Sequence, residues 1–137
     1  TTFYRGFTFP DYPDIGLIQG GTNNDPKRLL KPVPHEPTTQ TGLTNDDGAV
    51  SLARGKPGTG TADFFIVIGG MPALDADPTK PGDNQGFAVF GHVIKGMDVV
   101  RAIAAAPRSA TKGVGAMKGQ MLEPPIKIIS ARRVKQP

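Results

Sequence analysis

Residues able to do chemistry are present in this chain, but not at the spacings that metal centres, nucleophiles or phosphate sites require. His35 and His92 lie far apart, and neither belongs to an HxxxH or CxxC pattern. His92 falls in a run with Phe90, Val93 and Ile94 that reads as core, so it is expected to face outward from a strand; His35, after Pro34 in a loop, reads as a hydrogen-bonding pin. Ser51 sits inside an apolar run without the elbow glycines of a serine hydrolase. Gly55 to Gly60 and Gly113 to Gly119 supply neither GxxxxGK followed by Ser or Thr nor a complete GxGxxG, which argues against a nucleotide site. Cysteine is absent, so disulfide, thiolate and Cys-ligated metal chemistry are excluded. No metal and no cofactor is expected.

The elements that would have to position any remaining site are short strands. A chain of 137 residues suits one domain, and 18 glycines with 14 prolines bring it just under the roughly 25–30% at which disorder becomes the default, while 37% apolar content argues for a folded, turn-rich protein. The stretch Val50 to Ile68, VSLARGKPGTGTADFFIVI, reads as two apolar strands joined by a Gly/Pro/Thr loop. Thr1 to Thr8 has strand composition, Gly16 to Gly21 is a short apolar strand ending in a glycine pair, and Phe87 to Ile94 and Ile126 to Val134 read as further strands, the last one closing. Thr22 to Asp47 reads as a long meandering loop, of a length more often functional or tied down than free. One helix is predicted, Met97 to Ala106: Met97, Val100, Ile103 and Ala104 share a face, Asp98 lies in the first turn, and Pro107 stops it.

The formal charge of +4 comes from scattered basic residues, densest at Lys127, Arg132, Arg133 and Lys135, without alternating aromatics, so a solvated basic face is expected rather than a nucleic-acid surface. There is neither a run of 18 apolar residues nor a charged-then-apolar leader, so no membrane partner or signal peptide is expected in the chain as it stands.

Four segments, in order and at compatible distances, resemble the cyclophilins, the β-barrel peptidyl-prolyl isomerases. They are Phe3-Tyr4-Arg5; Ile18-Gln19-Gly20-Gly21; Ser51-Leu52-Ala53-Arg54-Gly55 running through Pro57 and Thr59 to Phe64-Phe65-Ile66; and Phe90-Gly91-His92-Val93-Ile94-Lys95-Gly96-Met97-Asp98-Val99-Val100. The similarity runs from residue 3 to about residue 134, and the insert-like loops Gly6 to Gly16 and Asp75 to Gly86 look like those of bacterial members. The resemblance implies a mainly β fold, a closed antiparallel β-barrel with one clear capping helix, forming a single domain over residues 1–137. Members carry two further strands and a helix before the segment that Thr1 opens, so the domain is expected to be N-terminally incomplete relative to the family. Bacterial-type inserts suggest a periplasmic location, with the cytoplasm as the alternative.

The chemistry so implied is isomerisation of X-Pro bonds in flexible or unfolded polypeptides by a monomer. Rotation about a peptide bond meets a resonance barrier of about 18–20 kcal/mol, and an enzyme has only to bind the twisted amide better than either planar form. The proline nitrogen gains a lone pair in the twisted form, so a fixed guanidinium favours it selectively, each ~1.4 kcal/mol being worth tenfold in rate. Arg5 matches the family arginine and Gln19 the glutamine that hydrogen-bonds the substrate carbonyl. Leu17, Phe65, Leu74 and Phe87 match the apolar slot for the proline ring, and Ala53, Arg54 and Gly55 the segment whose backbone pairs with extended substrate.

Four positions depart from the pattern. Asp63 replaces a glutamine and is expected to pair with Arg5 or Arg54; Ala73 and Phe87 replace the tryptophan and histidine of cyclosporin-sensitive members, so weak or no cyclosporin binding is expected. Gly16 stands where the slot has an aromatic, and Phe7 or Phe9 is expected to fill that space. The alternatives are a proline-peptide binding or holdase module with little turnover, and a structural β-domain of a larger assembly.

Overall fold

The computed structural model describes residues 1–135, so the last two residues of the expected 1–137 domain lie outside the described part. It is mainly β. Six strands, β1 (Thr2–Phe9), β2 (Tyr12–Gly21), β3 (Ala49–Leu52), β4 (Phe64–Ile68), β5 (Val89–His92) and β6 (Met121–Lys127), form one antiparallel sheet in the order β5-β3-β4-β2-β1-β6. Among the described residues β5 and β6 are its two edges. The four-residue helix α1 (Thr38–Thr41) lies in the long loop, and α2 (Met97–Ala104) covers one face.

Strand alternation sorts the side chains. Phe7, Leu17, Phe65 and Val67 fall on one face and pack with Ala49 and Val89; Ile18, Ile66 and Ile68 fall on the other, under Val100 and Ala104 of α2. The helix thus buries the stripe predicted for it, beginning at Met97 as expected but ending at Ala104. Arg108 ties its end to β1 by donating to the carbonyls of Ala104 at 2.9 Å and Gly6 at 3.2 Å.

Three sequence-based expectations are corrected. The stretch Gly6 to Gly16 is not an inserted loop: β1 and β2 pair along it to Phe9↔Tyr12, leaving Pro10-Asp11 as the turn. The last strand is Met121–Lys127 rather than Ile126 to Val134; Ile129 is 92% exposed. Phe90 and Ile94, read as core, are 61% and 96% exposed, because β5 is an edge with no strand beyond it among the described residues. His92 does face solvent.

The long loop is tied down as expected. Its His35 Nε2 lies 2.9 Å from the Gln85 carbonyl, and the Val33 N–H donates to the Gly60 carbonyl at 3.1 Å. Asn45 near its end is buried and satisfied throughout: it accepts from the Ser51 hydroxyl at 2.6 Å, and its amide donates to Asp75 at 2.7 Å and to the Leu74 carbonyl at 3.2 Å.

Candidate functional site

One row across the sheet carries the site. Arg5 on β1 lies opposite Gln19 on β2, Gln19 opposite Phe65 on β4, and Phe65 opposite Ser51 on β3. The next row on this face is Phe7, Leu17 and Val67. Residues scattered over sixty positions of sequence therefore become neighbours because strands place alternate side chains on one face and the ladder sets which ones stand side by side.

A bulge sharpens the arrangement. Between Phe3 and Arg5 the register of β1 against β2 shifts by one, with Tyr4 as the extra residue. Tyr4 and Arg5 would point to opposite faces of a regular strand; here both reach Gln19. The Gln19 Nε2 donates to the Tyr4 Oη at 3.0 Å, and its Oε1 accepts from Arg5 Nη1 at 2.8 Å. Gln19 is 7% exposed and Tyr4 4%, so neither amide nor phenol reorients freely. Burial, reinforced by the negative charge of Asp63, pushes the Tyr4 phenol up from 10.0 to about 12.

Arg5 is held on three sides. Besides Gln19, the Gln120 Oε1 accepts from its Nε at 2.9 Å, and the guanidinium lies 5.2 Å from the Phe7 ring centroid. Burial pulls its pKa below the ordinary value, partly opposed by Tyr4, and arginine remains a cation at neutral pH. Both partners of its side chain are neutral amides, so the charge is oriented without being cancelled.

Beside Arg5 and Gln19 opens an apolar cavity of about 260 Å³ walled by Phe7, Leu17, Phe65, Leu74 and Phe87. Phe65 and Phe87 meet edge to face at 5.3 Å. The Phe87 N–H donates to the Leu74 carbonyl at 2.8 Å, which fixes two walls against each other, and the Asn45–Asp75 network anchors Leu74 from behind. A larger cavity, about 480 Å³, lies against Leu52, Phe64 and Phe90 under residues Leu30 to Glu36. Arg5 and Gln19 do not line it, so the smaller cavity, where a cation, an amide and an apolar slot converge, is the better candidate.

The structure brings Arg5, Gln19, Leu17, Ala53, Arg54, Phe65, Leu74 and Phe87 to this cavity. Gly55 and Asp63 are not among its walls; they line an adjoining cavity of about 230 Å³ with Asn24 and Thr59. The expected pairing of Asp63 with an arginine is overturned. Its two carboxylate oxygens accept the backbone N–H groups of Asn23 at 2.9 Å and Asn24 at 3.1 Å. Both asparagines have positive φ, 54° and 56°, which turns successive N–H groups toward one anion, and a chain so folded leaves Asp63 only 4% exposed.

Arg54 also finds another acid. Its side chain, 6% exposed, forms two hydrogen bonds to Asp83 at 2.7 and 3.1 Å, donates through Nε to the Gly86 carbonyl at 2.9 Å, and covers the Phe87 ring at 4.8 Å. It therefore clamps the 75–86 loop over the cavity wall. Of the three residues expected to pair with substrate backbone, Ala53 spends its N–H on the Asp63 carbonyl and Gly55 spends its N–H on Thr59 Oγ1. The main-chain N–H and C=O of Arg54 have no partner among the described residues.

Sequence reasoning missed Gln120, Met71 and Met117, which complete the surroundings of Arg5 and the cavity. None carries a motif: Gln120 lies 115 residues from Arg5 in a glycine- and lysine-rich stretch, and only the β1–β6 pairing reveals it. Of the two aromatics expected to replace the one missing at Gly16, Phe7 lines the cavity; Phe9 supports it edge-on at 5.3 Å and is 37% exposed.

Residues 1–133 match the family described as "Cyclophilin type peptidyl-prolyl cis-trans isomerase/CLD". Similar curated proteins include a "Peptidyl-prolyl cis-trans isomerase" of Acinetobacter baylyi, 39% identical over 134 residues, covering 95% of this chain and 66% of that protein. A "Peptidyl-prolyl cis-trans isomerase cyp18" of Streptomyces antibioticus is 36% identical over 114 residues, 80% of this chain and 67% of that one. A "Peptidyl-prolyl cis-trans isomerase A" of Dickeya dadantii is 32% identical over 136 residues, 98% of this chain and 67% of that one. The chain thus spans about two thirds of the length of these relatives.

Proposed function

The chain belongs to the cyclophilin-type peptidyl-prolyl cis-trans isomerases, and on that premise we propose that it catalyses the isomerisation of X-Pro bonds in flexible or unfolded polypeptides, with Arg5 as the electrostatic catalyst. The observation that carries this reading is a half-buried guanidinium, braced by neutral groups, on the wall of an apolar slot sized for a side chain. The proline ring enters between Phe7, Leu17 and Phe65. Gln19 has one amide hydrogen left after donating to Tyr4, and directs it to the carbonyl before the proline. The free main-chain groups of Arg54 pair with the extended substrate, which reads little side-chain identity.

As the amide twists, its nitrogen loses conjugation and becomes an acceptor. The N–H groups of Arg5 that are not bonded to the two glutamines then gain a partner they lacked in the planar substrate, so the contact strengthens in the transition state. No bond is made or broken, and the chemistry needs no cofactor.

The single-domain organisation belongs to the same proposal, supported by one sheet that joins the six described strands and carries apolar side chains on both faces; the closed barrel rests on the family resemblance, since closure needs strands that pair with the open edges β5 and β6. A periplasmic location, with the cytoplasm as the alternative, and a monomeric state are proposed on the resemblance to bacterial members.

NMR exchange spectroscopy on a proline peptide tests the activity. Wild type is expected to speed cis/trans exchange, and Arg5→Ala to slow it by about 10²-fold, the order seen for removing one oxyanion-hole donor. Equal rates in the two proteins would remove the mechanism; peptide binding without acceleration in wild type would select the binding-module reading.

A further inference from the structure

We infer that Gln120 is a positioning residue for Arg5, a second neutral brace that aims the guanidinium at the twisted amide; this rests on the isomerase reading above. Gln120 immediately precedes Met121, the β6 residue that stands opposite Arg5 in the β1–β6 ladder. Its own backbone is fixed at both ends: the Gly6 N–H donates to its carbonyl at 3.0 Å, and its N–H donates to the Met117 carbonyl at 2.9 Å. The side chain is half-buried, and its Oε1 accepts from Arg5 Nε at 2.9 Å.

The two glutamines divide the work by geometry. Gln19 holds Arg5 at Nη1 and Gln120 holds it at Nε, so the planar fork is caught at two different nitrogens and cannot turn about its last side-chain torsion without breaking one bond. Nη2 takes no acceptor among the described residues and stays available to substrate. With Gln19 as its one hydrogen-bond partner the guanidinium could turn over the Phe7 ring, which fixes no in-plane direction, and a shift on the order of 1 Å at the reacting group can cost as much as 10²-fold.

The chemical type of the brace matters as much as its place. A carboxylate at position 120 would accept the same hydrogen bond, but its charge would compete with the developing lone pair for the cation. Glutamine supplies the acceptor oxygen without the charge. Geometry and electrostatics are therefore separable at this position: Gln120→Ala loses aim, Gln120→Glu keeps aim and loses field.

The test combines exchange rates with a side-chain signal that does not depend on turnover. Gln120→Ala is expected to slow peptide exchange by about tenfold or more, with peptide affinity within about twofold of wild type and an unchanged melting temperature. On the Arg5→Ala background the same change is expected to do nothing further. In NMR spectra the Arg5 Nε–H is expected to be protected from solvent exchange in wild type and Gln120→Glu, and exposed in Gln120→Ala, while Gln120→Glu also loses rate. A wild-type rate in Gln120→Ala, or a loss that recurs in full without Arg5, would overturn the inference. If wild type itself fails to accelerate exchange, the isomerase reading falls separately; the Nε–H signal still decides the brace, since protection unchanged in Gln120→Ala overturns it and protection lost supports it.

Discussion

The backbone of Phe7 passes so close to Gly16 that a methyl group on Gly16 would lie 2.0 Å from the Phe7 carbonyl oxygen. Thr8 is the paired residue across the ladder, and its Cα would be 2.7 Å away. The missing aromatic at position 16 and the aromatic wall supplied by Phe7 are therefore one feature: the β1 backbone occupies the space that a side chain at 16 would need.

Restoring the family residue should consequently harm this protein. Gly16→Phe is expected to cost about 3 kcal/mol or more, because the clash is with main chain that other strands hold in place. Phe7→Ala should lose about 3–5 kcal/mol and weaken peptide binding by removing a wall of the slot. Urea unfolding and peptide titration measure both; a stabilised Gly16→Phe would show that the strand yields.

Asp63 makes a stability prediction rather than a catalytic one. Asp63→Asn replaces one acceptor oxygen with an N–H₂ group facing a backbone N–H, and should lose about 1.5–3 kcal/mol. Asp63→Gln, the family residue, should not rescue it, since the Asn23–Asn24 turn is built around an anion. A urea midpoint equal to wild type in Asp63→Asn would contradict this role.

Cyclosporin is expected to bind far more weakly than to sensitive members. Ala73 offers no indole, and the Phe87 ring has one face covered by Arg54. Titration calorimetry should show no nanomolar site in wild type and a gain in affinity on combining Ala73→Trp with Phe87→His. Nanomolar binding by wild type would reject the argument.

Tyr4 should leave a mark on stability at high pH. Its folded pKa, about 12, lies above the unfolded value of 10, so the folded protein holds this proton more tightly. The contribution, on the order of 2–3 kcal/mol, is complete below pH 10 and is lost as the pH rises from 10 through 12. Denaturation in wild type and Tyr4→Phe between pH 8 and 12 should show this loss only in wild type. Parallel curves would mean that the phenol ionises normally.

Much of the architecture was legible in residue order. The run Phe64 to Ile68, the glycine pair after Gln19 and the helix stripe of Met97, Val100, Ile103 and Ala104 are local signals, and each element formed where its pattern lay. Edges were not legible. Phe90 and Ile94 carry the composition of core residues, and whether they are covered depends on a neighbouring strand rather than on themselves.

By itself the amino-acid order determined which side chains within one regular strand share a face, because alternation along a strand is set by covalent geometry, while Arg5, Gln19 and Phe65 were grouped by the resemblance to the family and not by alternation. Tertiary structure alone decided what those side chains hold. The bulge at Tyr4, the return of β6 that delivers Gln120 across 115 residues, and the asparagine turn that claims Asp63 all depend on ladder register and loop path. Hydrogen-bond partners are chosen by distances of a few tenths of an ångström, and those distances exist only once the strands are paired.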